Sequence, residues 1–326
     1  MRNPGVVDSV LDLIGDTPCL SLAWLAEGTG CRVLVKLESA NPGLSVKDRA
    51  ANQIIEDAER RGVIEPGDTV IERTSGNMGT GLALACLRRG YKLIVVMSKG
   101  NSVERRQMIG ALGAKIVLVP QVTGRPGEVT GADLKKVEEV TETLTRKLRA
   151  FRADQFKNES SVRAHEIGTG PELWAQTGGQ LDVFVSVIGS AGTFVGVSRF
   201  LKRENPAIRC YVAEPKNAAV LSGRRKVAGR HKLQGLGYME VPQLFDRSLV
   251  DGYLTVTDAE AVRTARLLAK REGILCGFTS GGNVAAALRL AREATRPLTI
   301  ATVITDSGLK YLSTDLFPDP ARARGR

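Results

Sequence analysis

The sequence predicts an α/β protein made of two halves, each built on parallel strands. Three observations carry this expectation. Short apolar runs alternate with glycine-bearing loops and amphipathic helical stretches, the pattern of right-handed βαβ units. The alternation pauses near residue 150 and restarts, with no internal repeat and no low-complexity linker. Glycine is plentiful, 35 residues against 13 proline, which suits tight turns and close backbone approach. With 326 residues the chain has room for two domains and a sizeable core.

In the first half, residues 68–72 read as a strand. Residues 79–89 read as a helix with Leu82, Ala85, Cys86 and Leu87 apolar, and 92–97 as a buried strand. A helix over 103–112, ended near Gly113, leads to a strand over 115–119. Residues 120–131 hold several Gly, Thr and Pro and form the best candidate loop. A long polar helix follows over 134–149, with Asp133 as its N-cap. In the second half, 181–188, 209–213 and 298–304 read as strands, and 193–202 and 259–272 as helices. The expected division is 1–150 and 151–326, with residues before about 45 packing on the second half.

Composition excludes several classes. Apolar residues at 43%, charged at 25% and aromatic at 5% are ordinary globular values, unlike those of a disordered or fibrous chain. No apolar run approaches membrane-spanning length. Asp8 and Asp12 interrupt the stretch that a secretory signal would keep apolar, so a cytoplasmic location is expected. The five cysteines, at 19, 31, 86, 210 and 276, form no C-x-x-C pair, and there are two histidines. Neither a disulfide framework nor a metal site is expected, and Cys86 and Cys210 should be buried thiols. The net charge of +11 raises the question of nucleic acid. The basic residues are spread out, without interleaved aromatics, and cluster densely only at 321–326. Such a field better suits anionic substrates or a phosphorylated cofactor.

Three loops carry chemistry. In Asn41-Pro42-Gly43-Leu44-Ser45-Val46-Lys47-Asp48-Arg49 a turn-rich loop ends at Ser45, a good N-cap, and a helix begins. Lys47 then lies in the first turn, where the helix dipole disfavours an ammonium and favours a neutral amine nucleophile. Thr74-Ser75-Gly76-Asn77-Met78-Gly79 follows a strand and opens a helix, gathering hydroxyls, an amide and free N–H groups suited to a carboxylate. Gly189-Ser190-Ala191-Gly192-Thr193 has the same setting and suits a phosphate. A dinucleotide fold is the rival reading of this third loop, with Glu214 ending the next strand as a ribose-binding acid would. That fingerprint needs glycine where Ala191 stands.

Together these loops resemble those of the cysteine synthase family of fold-type II pyridoxal-phosphate enzymes, which includes the catalytic domain of cystathionine β-synthase. The resemblance runs from about residue 13 to residue 317. Its further anchors, in order, are Ile14-Gly15-Asp16-Thr17-Pro18, Lys36-Leu37-Glu38, Gln155-Phe156, Thr169-Gly170-Pro171-Glu172, His231-Lys232-Leu233-Gln234-Gly235, Thr279-Ser280-Gly281-Gly282 and Asp306-Ser307-Gly308. It implies a tryptophan synthase β-like fold, two open α/β domains with pyridoxal 5'-phosphate in the cleft between them, in a homodimer. By position, Lys47 becomes the Schiff-base lysine and proton carrier, and Asn77 the partner of the cofactor's ring hydroxyl. Gly189, Ser190, Ala191, Gly192 and Thr193 would hold its phosphate, and Ser307 would face its pyridine nitrogen. Thr74, Ser75, Gly76, Met78 and Gln155 would bind the substrate carboxylate end. A neutral hydroxyl at the pyridine nitrogen leaves the ring a weaker electron sink, which suits β-elimination better than transamination. The side chain of Asp306 is expected to point away.

The implied reaction is β-replacement on an O-activated L-serine through an α-aminoacrylate, with sulfide as the nucleophile. The same intermediate could instead take an amine, giving a 2,3-diaminopropionate precursor, form cystathionine, or hydrolyse as in a desulfhydrase. A non-catalytic protein of the same fold is the alternative of a different class. Three departures stand out. Met78 replaces the family's threonine, as in relatives that use O-phosphoserine. Ala191 replaces a glycine in the phosphate loop. Leu44 stands where glycine is common and would narrow the mouth above Lys47. The 231–235 segment instead looks like the sulfhydrylase version of that loop.

Overall fold

Ten strands form two sheets in the computed structural model, which describes residues 5–74, 76–124, 129–223, 231–233 and 240–318. Ser75, Gln234, Gly235, the centre of the 120–131 loop and the tail at 321–326 lie outside the described residues. The strands are β1 (Cys19–Ser21), β2 (Arg32–Leu37), β3 (Thr69–Arg73), β4 (Lys92–Ser98), β5 (Lys115–Val119), β6 (Phe151–Arg152), β7 (Val183–Val187), β8 (Arg209–Pro215), β9 (Gly252–Val256) and β10 (Thr299–Ile304). The larger sheet runs β1-β2-β10-β7-β8-β9, parallel except for the β1–β2 pair. The smaller runs β5-β4-β3-β6 and is wholly parallel. All five residues of β7 are buried, because helices cover both faces of its sheet.

The early strands β1 and β2 belong to the larger sheet, and β6 to the smaller. The two sheets therefore draw on residues either side of position 150. Among the described residues nine α-helices connect the strands: α1 (Lys47–Arg60), α2 (Asn77–Arg89), α3 (Val103–Ala111), α4 (Gly131–Leu148), α5 (Ser160–Ala164), α6 (Gly170–Gln176), α7 (Gly192–Glu204), α8 (Asp258–Leu267) and α9 (Phe278–Glu293). Three details differ from the sequence expectation. Helix α2 begins at Asn77, so Asn77 and Met78 occupy its first turn. Helix α4 is capped by Thr130, with Asp133 as the third residue of a reciprocal capping box, because the Thr130 hydroxyl reaches the Asp133 N–H. Helix α9, rich in small residues, carries no apolar stripe that periodicity could read. It packs so closely on α8 that a Cβ on Gly281 would lie 2.1 Å from the Ala261 carbonyl oxygen.

Two ties place α1 between the sheets. Residues 44–46 pair with 305–307: Val46 N–H donates to the Thr305 carbonyl at 2.8 Å and Ser307 N–H to the Leu44 carbonyl at 3.1 Å. Leu44 takes a left-handed φ of +61°, which explains why glycine suits this position. The second tie is a buried ion cluster. Arg49 bonds Glu38 through Nε at 2.6 Å and Glu172 through Nη1 at 2.6 Å. Lys36, fully buried in β2, reaches Glu172 at 2.6 Å. Thr17 and Asn41 fill the remaining Glu38 lone pairs. Two cations thus balance two anions, each with several hydrogen bonds, the condition under which buried ions are tolerated.

Burial alone would raise Glu38 and Glu172, but Arg49 and Lys36 override it and hold both below the ordinary glutamate value of 4.5. A carboxylate depressed in the folded state contributes stability above its unfolded value and loses it as pH falls through the folded one. Glu38→Gln leaves Arg49 short of an anion and is expected to cost about 3–5 kcal/mol at neutral pH. Urea unfolding followed from pH 7 down to pH 3 checks this. The parent should lose stability steeply below about pH 4.5, and the variant less steeply.

Candidate active site

A cleft of about 780 Å³, open mouth included, lies where the carboxyl ends of both sheets face each other. In the larger sheet the chain order reverses between β7 and β10, and in the smaller between β3 and β6. Such switch points are where open α/β sheets bind ligands. Strands β7 and β10 pair only over residues 183–184 and 300–301. Beyond that the strands separate, and Asn283 of α9 fills the gap, accepting from Val187 N–H at 2.6 Å and donating to the Val303 carbonyl at 2.7 Å.

Lys47 enters from α1. The Ser45 hydroxyl accepts from its N–H at 3.3 Å, but the N-cap of α1 is Val46, one residue later than the sequence suggested, and it has no side-chain cap bond. Its ammonium value falls to about 8, with burial the main cause, and the nearby Asp306 carboxylate opposes the fall. The fall is in the direction the sequence suggested, with burial as its cause.

Thr74, Asn77, Met78 and Gln155 line one wall. The Gly76 N–H donates to Thr74 Oγ1 at 3.1 Å. Gly76 itself does not line the cleft; Arg105 packs behind it, so a Cβ there would lie 2.6 Å from Arg105 Cδ. Gln155 is held by Nε2 donating to Glu72 Oε1 at 3.2 Å. Burial pushes that glutamate up to about 7, despite Arg152. Met78 is 1% exposed and belongs at once to the cleft wall and to the core of the smaller half.

Residues 189–193 form the opposite wall at the start of α7. No side chain caps this helix, so its first N–H groups remain available to an anion. Ala191 has a left-handed φ of +72°, the reason glycine is usual there. A Cβ on Gly192 would lie 2.9 Å from the Ser161 carbonyl oxygen, so glycine is required. Glu214 does not face a ligand. It is buried and accepts from the N–H groups of Leu221 and Ser222 at 2.7 and 2.9 Å, which removes the basis of the dinucleotide reading.

One expectation changes at the floor of the cleft. Asp306 does not point away. Its Oδ2 accepts from Asn77 Nδ2 at 2.8 Å and from the Tyr311 hydroxyl at 2.7 Å, which turn it inward, and its buried Oδ1 has no hydrogen-bond partner. The Ser307 hydroxyl accepts from Leu309 N–H at 3.3 Å and caps a short helical turn, which leaves its own hydrogen free to donate. Thr279, in the first turn of α9, brings a second hydroxyl to the cleft.

Sequence reasoning missed the groups behind these walls. Lys310 is buried, donates at 2.8 Å to both Asn77 Oδ1 and the Gly43 carbonyl, and is lowered to about 8 chiefly by burial. Glu72, Arg105 and Thr279 also went unassigned. Thr279 alone carried a signal, since it stands in one of the quoted motifs. The cleft fits pyridoxal phosphate: an amine of lowered basicity, an uncapped helix start that can hold a phosphate, and a floor with an orphaned carboxylate oxygen.

Among the described residues no helix is long and apolar enough to cross a membrane, and no group of three His, Cys, Asp or Glu could hold a metal ion. The model of the family described as "Pyridoxal-phosphate dependent enzyme" matches residues 10–306. The chain is 42% identical over 310 residues to Cysteine synthase 3 of Caenorhabditis elegans, covering 94% of this chain and 89% of that protein. It is 41% identical over 312 residues to a Cysteine synthase of Staphylococcus aureus, covering 95% and 97%. The crystal structure of an O-ureido-L-serine synthase superposes with a TM-score of 0.88 at 38% identity, covering 98% of this chain and all of that one. A cleft built this way, with matches that span nearly the whole chain, places this protein in the pyridoxal-phosphate-dependent enzyme family, in its fold-type II, cysteine synthase-like branch.

Proposed function

We propose that the protein makes L-cysteine from O-acetyl-L-serine and sulfide, releasing acetate. One observation carries the reading: Lys47, the side chains of Thr74, Asn77 and Met78, and the uncapped start of α7 face one cleft. The cysteine synthases of similar sequence support it. A homodimer and a cytoplasmic location belong to the same proposal and rest on that similarity alone.

Pyridoxal phosphate, when bound, withdraws electrons from the donor's α-carbon, so that its proton becomes removable and its β-substituent can leave. Lys47 would hold the cofactor covalently through Nζ. Ser190, Thr193 and the N–H groups of 189–193 would hold its phosphate, and Asn77 its ring hydroxyl. Ser307, whose hydroxyl keeps its own hydrogen to donate, would meet its ring nitrogen, with Thr279 also lining the cleft. The start of α9 adds a positive helix end there, which disfavours a protonated ring. Thr74, Ser75 and Gln155 would bind the donor's carboxylate. Lys47 Nζ, freed by the donor's amine, would take the α-proton. The bond from β-carbon to ester oxygen breaks, sulfide forms the new bond, and Lys47 returns the proton to the α-carbon. An absorbance-monitored screen of O-acetylserine, O-phosphoserine, serine and cysteine against sulfide, thiols and amines tests the assignment. Turnover of O-acetylserine with an amine but not with sulfide would remove it.

Four variants test the roles of these residues. Lys47→Ala should fold, yet show no cofactor mass on that peptide after borohydride reduction, and no turnover. In the parent, covalent capture of the cofactor by apoenzyme should quicken as pH rises through about 8, since only the neutral amine attacks. Ser307→Ala should shift the absorbance of the bound cofactor, whereas Thr279→Val should not; the reverse result would give the role to Thr279. Met78→Thr should lower the KM for O-acetylserine by supplying a hydroxyl, and lower the melting temperature by emptying part of the core at a cost of about 2 kcal/mol or more. A lower melting temperature with an unchanged KM would make Met78 structural only.

A further inference from the structure

Behind residues 189–193 lies an imidazole that the proposed reaction does not use. His165 is 1% exposed. It opens a π turn, His165–Thr169, closed by the Gly170 N–H donating to the His165 carbonyl. The turn fits tightly on α7. A Cβ on Gly196 would lie 2.2 Å from the Val162 carbonyl oxygen and 2.7 Å from His165 Cβ, and one on Gly170 would lie 2.8 Å from Phe200 Cβ. The ring is thereby fixed between two threonines. Its Nδ1 is 2.9 Å from Thr169 Oγ1 and its Nε2 is 3.2 Å from Thr193 Oγ1.

A neutral imidazole has one donating and one accepting nitrogen, and each hydroxyl has one hydrogen. Burial, with Lys47 and Arg49 close by, holds His165 well below the usual histidine range and so uncharged. The chain of three groups can then run in two directions. If Thr193 gives its hydrogen to the ring, the hydroxyl has nothing to offer an anion in the loop. If Nε2–H donates to Thr193, the hydroxyl hydrogen is free to enter the cleft, and Nδ1 accepts from Thr169.

We propose that His165 is a positioning residue for the phosphate loop: protonated on Nε2, it commits the Thr193 hydroxyl to donate to a bound phosphate monoester. The proposal rests on reading residues 189–193 as the phosphate site.

The chain has two histidines, so ¹⁵N-histidine labelling gives two imidazoles, and His231→Gln leaves one. In the holoenzyme, His165 should carry its proton on Nε2; a proton on Nδ1 overturns the proposal. Pyridoxal phosphate titrated into apoenzyme variants gives a second readout. Gln can place an amide N–H where Nε2–H stood, and Asn cannot reach it. His165→Gln should bind within about threefold of the parent and His165→Asn about tenfold more weakly, the scale of one hydrogen bond to a charged group. Thr193→Ala should weaken binding alone but add little in the His165→Asn background. Equal affinities for the Gln and Asn variants, with equal losses of melting temperature, would mean a purely structural role and sink the idea. Unchanged affinity in Thr193→Ala would instead overturn the phosphate-site reading beneath it. If His165→Asn does not fold, the tautomer measurement still decides.

Discussion

The bond between Arg49 and its two glutamates is the constraint on which the rest of the molecule depends. Glu38 follows a strand of the larger sheet, Arg49 lies two residues beyond Lys47 on α1, and Glu172 lies on α6. A planar guanidinium bonded on both sides fixes distance and orientation together, which an apolar contact would not. Removing any one ion would strand the others in a medium that cannot solvate them. The position of Lys47 is therefore set by charges buried beneath it as much as by the loop that leads to it.

The cleft follows from how two parallel sheets end. Strands β3, β6, β7 and β10 all deliver their carboxyl ends to it, and helices α1, α2, α7 and α9 start there. Four helix starts bring positive potential to one small volume, which favours a carboxylate and a phosphate and disfavours an ammonium. The basicity of both Lys47 and Lys310 is lowered there, with burial the main cause for each. Asp306 supplies the counterweight, and Asn77 and Tyr311 orient it.

Several glycines and near-glycines in the motifs take their meaning from this packing. Gly192, Gly196 and Gly281 are places where helices meet backbone to backbone or nearly so. Leu44 and Ala191 keep the left-handed backbone of a glycine while carrying a side chain, a local strain of order 1–3 kcal/mol that the surrounding bonds sustain. In both cases the departure from glycine changes cost more than shape, so the loops keep their course.

The sequence by itself determined the alternation of strands and helices and the loops at 41–49, 74–79 and 189–193. These are local signals: apolar period, glycine and hydroxyl at helix starts, and motif order. Lys47, Asn77 and Thr193 were legible because each stands in such a loop. Tertiary structure alone decided which side chains behind the loops turn inward. Thr279 lines the cleft because α9 starts there, which no local signal places. Asp306 faces the cleft because Asn77, far away in sequence, donates to it. Lys310 and His165 had no local mark at all. Their roles come from burial and from partners on other elements, and neither quantity exists until the chain is folded.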